Sequence, residues 1–161
     1  MGNILLISEN EQIINKYEKM FNDKSLNLYI SKSVVSTFDL IDMVPFDIVL
    51  IDQKFEYNNL SLTIKRIKSK LENTQILLLT NTKYKPEEYS KYLSGYILEE
   101  FSPELIRSVT DAHLKNKKQA DSLSERNKDL ADSLYRLNVL YNTSSQFAGT
   151  LDTKKLFEYM I

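Results

Sequence analysis

The sequence predicts an α/β fold in which a doubly wound parallel sheet of five strands is followed by a long C-terminal helix. Short, unbroken apolar runs recur up to about Glu100, and between them apolar residues recur at helical spacing. The runs are too short for helices and rich in branched aliphatic residues, which is typical of strands buried on both faces of a parallel sheet. Because the two kinds of segment alternate, the strands are expected to be joined by crossover helices on both faces.

The second predicted strand differs from the other four. In it, Leu26, Leu28 and Ile30 alternate with Asn27 and Tyr29, which indicates a half-exposed strand at the edge of the sheet. An edge position for the second strand favours a flavodoxin-like strand order. The predicted strands are residues 3–7, 26–30, 48–51, 75–79 and 95–98.

The segments between the strands are predicted as helices with recognisable ends. Asn10 or Ser8 caps the first helix, which runs to about Phe21, and Ser33 opens the second, which ends before Pro45. The third and fourth predicted helices are residues 60–71 and 86–92.

The last helix begins at Pro103, with Ser102 as its cap, and no Gly or Pro follows until after Asn142. Gly149 is expected to break this helix, and residues 151–153 are expected to open a new one. In the first turns of the helix that begins at Pro103, the residues predicted to pack on the sheet are Leu105, Ile106, Val109 and Ala112.

Beyond Lys115 the long helix carries a heptad pattern. Ala120, Asn127, Leu134 and Tyr141 fall at a positions, and Leu123, Leu130 and Leu137 fall at d positions. Leu at d together with one Asn at a favours a parallel two-stranded coiled coil, so we expect a homodimer through residues 116–146. The alternative is a helix that folds back on its own domain. The predicted division is a domain at 1–115, a coiled-coil linker at 116–146 and the start of another domain at 147–161.

Composition excludes several classes of function. The formal net charge of −1 does not favour nucleic acid as a partner, and the absence of cysteine excludes disulfides and thiolate metal sites. The single histidine, His113, excludes metal sites built on several histidines, and the three scattered glycines form no phosphate-binding loop. No apolar run approaches the roughly 20 residues that span a bilayer, so no membrane segment and a cytoplasmic location are expected.

Polar residues follow the predicted strands at their carboxyl ends. Ser8 and Glu9 come after the first strand, Asp52 after the third, Thr80 after the fourth and Glu99 after the fifth. Parallel strands bring their carboxyl ends to one edge, where open α/β sheets bind ligands. Glu9 and Asp52 are oxygen ligands suited to Mg²⁺, and a carboxylate can also act as a nucleophile toward phosphorus.

Four motifs in this order resemble the receiver domain of two-component response regulators: ILLISEN, FDIVLID, ILLLT and GYILEEF. The resemblance covers residues 3–115 and implies that Asp52 accepts a phosphoryl group from a histidine kinase. It implies that positions 8 and 9 supply the acidic pair that binds Mg²⁺. It also implies that Thr80 and Tyr96 move together when the phosphoryl group arrives.

The sequence departs from the pattern of that family at three positions. Ser8 replaces the first acidic residue, Glu99 stands where the family has a phosphoryl-contacting lysine, and Glu100 stands where it has a proline. We therefore expect a trans peptide bond before Glu100, because a cis bond there costs roughly 2.5–4 kcal/mol. Lys54 is predicted to pair with Glu99. Phosphorylation of Asp52 is expected to be weak or absent, and Mg²⁺ binding to be weak.

Residues 137–161 resemble the opening helices of GAF domains, around Ser145 and Thr150-Leu151-Asp152. The sequence is therefore interpreted as a degenerate, non-enzymatic receiver module that regulates a downstream GAF-containing region through a coiled-coil helix. The alternatives are a working phosphoacceptor receiver and a small flavodoxin-like enzyme that uses Asp52. The missing phosphate loop argues against the enzyme.

Overall fold

The computed structural model describes residues 2–81 and 88–159, with side chains for all of these except Tyr57 and residues 147–159. The strands are β1 (Gly2–Ile7), β2 (Leu26–Ser31), β3 (Ile48–Asp52), β4 (Gln75–Thr80) and β5 (Gly95–Leu98). The helices are α1 (Glu11–Met20), α2 (Val34–Met43), α3 (Leu60–Lys70) and α4 (Pro103–Tyr159), with 3-10 turns at Tyr57–Asn59 and Ser90–Tyr92.

The five strands form one parallel sheet in the order β2-β1-β3-β4-β5. This order confirms the predicted flavodoxin-like fold and the edge position of β2. The helix predicted to open at Pro86 falls partly outside the described residues, and within them its last part is the 3-10 turn Ser90–Tyr92. All carboxyl ends of the strands lie at one edge of the sheet, which sets the place of the candidate site.

Two apolar cores flank the sheet because successive side chains of a strand point to opposite faces. Val49 and Ile51 of β3 belong to the core under α2 and α3, whereas Ile48 and Leu50 belong to the core under α1 and α4. All five residues of β3 are buried, since the strand is covered on both faces and paired on both edges. The fully apolar runs in the sequence are explained by this double burial.

The predicted caps are present. Asn10 accepts a hydrogen bond from the Gln12 amide at 2.9 Å, and Ser33 and Ser36 form a reciprocal capping box at the start of α2. Ser102 accepts from the Leu105 amide at 3.2 Å and so caps α4. These side chains satisfy amide groups that the first turn of each helix leaves unpaired.

The first turns of α4 pack on the sheet through a stripe that confirms the prediction in part. Ile106 is buried and Val109 packs against the core under α1 and α4, as predicted, whereas Leu105 and Ala112 are exposed. Thr110 and Leu114, which the sequence did not single out, are buried with Ile106 at spacings of four residues. Thr110 fits among them because its hydroxyl donates to the Ile106 carbonyl at 2.8 Å.

Arg107 fastens α4 to the end of α1. Its Nη1 donates to the Met20 carbonyl at 3.2 Å, one of the last carbonyls of α1, and its Nη2 binds the Asp23 carboxylate. Hydrogen bonds from Ser25 and Arg107 lower the pKa of Asp23 to about 2. The guanidinium of Arg107 thus donates to a carbonyl at the C-terminal end of α1 and places a positive charge where the helix dipole favours one.

The helix continues through Gly149 to Tyr159, so the break predicted at Gly149 is wrong. A single Gly inside a helix costs only about 1 kcal/mol relative to Ala, which the flanking helical residues overcome.

The chain divides into two compact units, Met1–Ala120 and Asp121–Ile161. In the second unit the heptad residues Leu123, Leu130, Leu134 and Leu137 have exposed fractions of 54–61%. No helix within residues 2–81 and 88–159 has the length and apolar composition required to cross a membrane.

The stripe on α4 can be tested by paired substitutions. Ile106→Ala should lower the free energy of unfolding by about 2–5 kcal/mol, because Ile106 is fully buried and its removal leaves a cavity. Leu105→Ala, one position away and 43% exposed, should change it by less than about 1 kcal/mol. Urea denaturation followed by circular dichroism measures both. Equal losses for the two variants would show that the stripe is placed incorrectly.

Candidate functional site

Asp52 and Ser8 meet at the carboxyl edge of the sheet. Asp52 ends β3 and is 5% exposed, and Ser8 directly follows β1 and is fully buried. Because Ile7 of β1 is paired with Ile51 of β3, the next residue on each strand lies side by side. The Ser8 hydroxyl donates to Asp52 Oδ2 at 2.8 Å, and its oxygen accepts from the Asn10 amide at 3.1 Å.

The other oxygen of the Asp52 carboxylate is held by the turn that follows β3. The Lys54 amide donates to Asp52 Oδ1 at 3.0 Å, and the Phe55 amide donates to the Asp52 carbonyl at 3.0 Å. Glu56 has a φ of 41°, in the left-handed region that favours Gly. The turn therefore reverses without the Gly or Pro that its sequence lacks, at a backbone cost on the order of 1 kcal/mol.

A recess of about 230 Å³ opens beside this carboxylate, lined by Glu9, Asn10, Asp52, Lys54 and Phe55. The predicted pair of carboxylates, Glu9 and Asp52, thus borders the same space. Lys54, whose side chain is exposed, is the cation among these lining residues.

These residues do not fit a dedicated magnesium site. Mg²⁺ prefers near-octahedral oxygen ligands and is usually held by carboxylates. The Ser8 hydroxyl stands where a second carboxylate of the acidic pair is expected, and its proton is directed at Asp52. No group of three or more metal-ligating side chains occurs among the described residues.

Thr80 is fixed by a residue that sequence reasoning missed. Its hydroxyl donates to Gln53 Oε1, while the Gln53 amide donates to the Leu79 carbonyl at 2.9 Å. Thr80 is 2% exposed and ends β4. A single Gln in a polar loop carries no periodic signal, and only the pairing of β3 with β4 brings Gln53 to Thr80.

Tyr96 and Thr80 lie on the same face of adjacent strands. Thr80 is paired with Leu98 and Leu78 with Tyr96, so the two side chains are offset by two positions along the sheet. Tyr96 is half-buried against the core under α2 and α3, and burial raises the pKa of its hydroxyl. The resemblance implies that Thr80 and Tyr96 move together, and the register of β4 and β5 makes them neighbours.

Glu99 borders a different recess from that of Asp52, although it is a neighbour of Thr80. Its amide donates to the Thr80 carbonyl at 3.0 Å, and its recess is shared with Lys16 and Tyr17. Ion pairs among the described residues include Lys32–Glu11, Lys70–Asp42 and Arg107–Asp23. Lys54 and Glu99 do not form the predicted pair. The peptide bond before Glu100 is trans, as predicted.

A larger recess, of about 620 Å³, lies elsewhere, along the end of α1 and the free edge of β2. It contains none of the residues of the carboxyl edge. The small recess at Asp52 is the better candidate, because it joins a buried carboxylate to two further charged groups.

Both oxygens of the Asp52 carboxylate accept hydrogen bonds, one from the Ser8 hydroxyl and one from the Lys54 amide. Each carboxylate oxygen has two lone pairs, so each keeps one beside its hydrogen bond. The described residues that line the recess supply one ammonium and two carboxylates, and a phosphoryl group would add further negative charge there.

No family model matches the chain, and no curated protein matches it. Solved structures do. The receiver domain of an HD domain-containing protein from Pseudomonas fluorescens has a TM-score of 0.66 at 14% identity, over 75% of this chain and 92% of that chain. The chemotaxis response regulator CheY4 of Vibrio cholerae has a TM-score of 0.63 at 17% identity, over 70% and 98%.

A response regulator receiver modulated diguanylate cyclase from Pelobacter carbinolicus has a TM-score of 0.63 at 20% identity, over 76% of this chain and 99% of that chain. At these identities the similarity concerns the fold alone. The chain therefore has the fold of response regulator receiver domains, followed by a long C-terminal helix.

Proposed function

We propose that the chain is a receiver-like signalling module of a two-component system whose phosphorylation site is degenerate. It acts through its conformation and its partners, and it is not an enzyme. The observation that carries this proposal is the hydrogen bond from the Ser8 hydroxyl to Asp52 Oδ2, at 2.8 Å between two buried side chains. A serine proton occupies the position where the resemblance implies a carboxylate ligand for Mg²⁺.

Charge supports the same proposal. A phosphoryl group on Asp52 adds nearly two negative charges beside Glu9. A metal ion or a lysine would normally offset them, but position 99 is a glutamate that borders a different recess. Among the described residues that line the Asp52 recess, Lys54 is the cation, and its ammonium is on an exposed side chain screened by solvent.

A working phosphoacceptor is the second candidate function. It is favoured by the open recess at Asp52 and by the neighbouring positions of Thr80 and Tyr96. In that case a histidine kinase is the partner that supplies the phosphoryl group.

The output of the module is proposed to pass through α4 to a GAF-containing region that follows the helix. The heptad residues Leu123, Leu130, Leu134 and Leu137 are exposed on the second unit, which is unfavourable for a row of large apolar side chains in water. Pairing with the same row of a second copy buries them, and Asn127 at an a position fixes a parallel register. The proposed assembly is a homodimer through residues 116–146.

Acetyl phosphate distinguishes the two candidate functions. With acetyl phosphate and Mg²⁺, the wild-type chain should show no gain in intact mass, because Asp52 lacks both a metal ligand at position 8 and a lysine at position 99. The double variant Ser8→Asp/Glu99→Lys should gain one phosphoryl group. Adding Asp52→Asn to the double variant is the matched control and should abolish the gain. A stoichiometric gain in the wild type that Asp52→Asn removes would refute the degenerate site.

Magnesium binding is predicted to respond to position 8. The wild type should bind Mg²⁺ with a Kd of roughly 1 mM or weaker, since Glu9 and Asp52 are the two acidic residues among the described residues that line the recess. Ser8→Asp should tighten binding by about ten- to a hundredfold, because it adds a charged oxygen ligand. Isothermal titration calorimetry measures both values, with Ser8→Ala as a control that removes the hydroxyl and adds no charge. Micromolar binding by the wild type contradicts the prediction.

The dimer is predicted to depend on d positions. The full chain should be dimeric by light scattering at micromolar concentration, and Leu130→Glu/Leu137→Glu should make it monomeric, since like charges would face each other in the seam. Val139→Glu is the matched control: Val139 is apolar and 46% exposed but falls at an f position. A monomeric wild type, or a double variant that remains dimeric, would rule out this seam.

A further inference from the structure

His113, the single histidine of the chain, lies where α4 packs against the amino ends of β4 and β5. Its Nδ1 is 3.2 Å from Oε1 of Gln75, the first residue of β4. A Cβ placed on Gly95, the first residue of β5, would lie 3.0 Å from His113 Nε2 and 3.3 Å from His113 Cε1. The ring therefore occupies the space next to Gly95, and a residue with a side chain at position 95 would force it to shift.

The two strands packed against the ring carry no charged residue, and the contacts given above are to an amide side chain and to a glycine. On α4 the nearest charged residues are Asp111 and Lys115, two positions away and about 160° around the helix, and Lys117, one turn further on. Glu72 precedes β4 and Lys91 precedes β5. Burial is the cause that lowers the pKa of His113.

We propose that protonation of His113 is a pH-sensitive switch that loosens the docking of residues 110–118 of α4 on β4 and β5. The neutral ring donates from Nδ1 to Gln75 and presents a bare Nε2 to Gly95. Protonation places a second N–H and a positive charge against the Gly95 backbone, half-buried and with Lys117 on the same helix face. The charged ring is better solvated when the helix moves away from the sheet.

The pH dependence of docking follows from the difference in the pKa of His113 between the docked and undocked states. A histidine whose pKa is lowered in the docked state contributes full docking stability above its ordinary pKa of about 6.5, and this stability is lost as pH falls through and below that value. The docking equilibrium weakens by about tenfold for each unit that separates the docked and undocked pKa values. This switch acts at the amino end of the sheet and needs no phosphoryl chemistry at Asp52.

The test uses the full chain. Because there is one histidine, its ring Hε1 proton gives a single NMR titration curve between pH 8 and pH 4.5. The midpoint should lie below 6.5, and hydrogen-exchange protection factors of residues 110–118 should fall between pH 7.5 and pH 5.5. A midpoint at or above 6.5 overturns the proposal, and so do protection factors that are equal at the two pH values.

Two variants separate the switch from general acid sensitivity. His113→Gln cannot titrate in this range, so its protection factors should be equal at pH 7.5 and pH 5.5. Lys117→Gln keeps the histidine and should retain the pH dependence. If His113→Gln shows the same pH dependence as the wild type, the proposal fails. If that variant does not fold, the titration and exchange of the wild type still decide the question.

Discussion

The position of β3 constrains the rest of this molecule. The strand is paired with β1 on one edge and β4 on the other, and helices cover both of its faces, so all five of its side chains are buried. A carboxylate at the end of such a strand is poorly solvated and needs hydrogen-bond donors from the protein. The register of β1 and β3 brings the Ser8 hydroxyl to one oxygen, and the turn after β3 brings the Lys54 amide to the other.

Ser8 exchanges one way of stabilising Asp52 for another. A second carboxylate at position 8 would repel Asp52 at close range, and the pair would be stable only with a cation or a bound proton. The Ser8 hydroxyl instead donates its own proton to Asp52, so this edge holds one buried carboxylate in place of two. A neutral hydroxyl is also a weaker ligand for Mg²⁺ than a carboxylate.

The sequence was sufficient for the sheet, for α1 to α3 and for the start of α4, because their signals are local. Apolar runs, the alternation in β2 and the caps at Asn10 and Ser33 each depend on a few adjacent residues, and the structure confirms them. Contacts between distant segments carry no such signal. The hydrogen bond between Thr80 and Gln53 requires the pairing of β4 with β3, and Glu99 borders its own recess because β5 lies beyond β4.

The two errors in the stripe of α4, Leu105 and Ala112, have a geometric cause. At 100° per residue, these two residues lie about 100° and 120° from Ile106 around the helix, outside the face that meets the sheet. Apolar character alone does not tell which face of the helix docks. The ring of His113 lies about 20° from Ile106 around the helix and is placed against Gln75 and Gly95, at the amino ends of β4 and β5, so the docked face is the one that carries Ile106, Thr110 and Leu114.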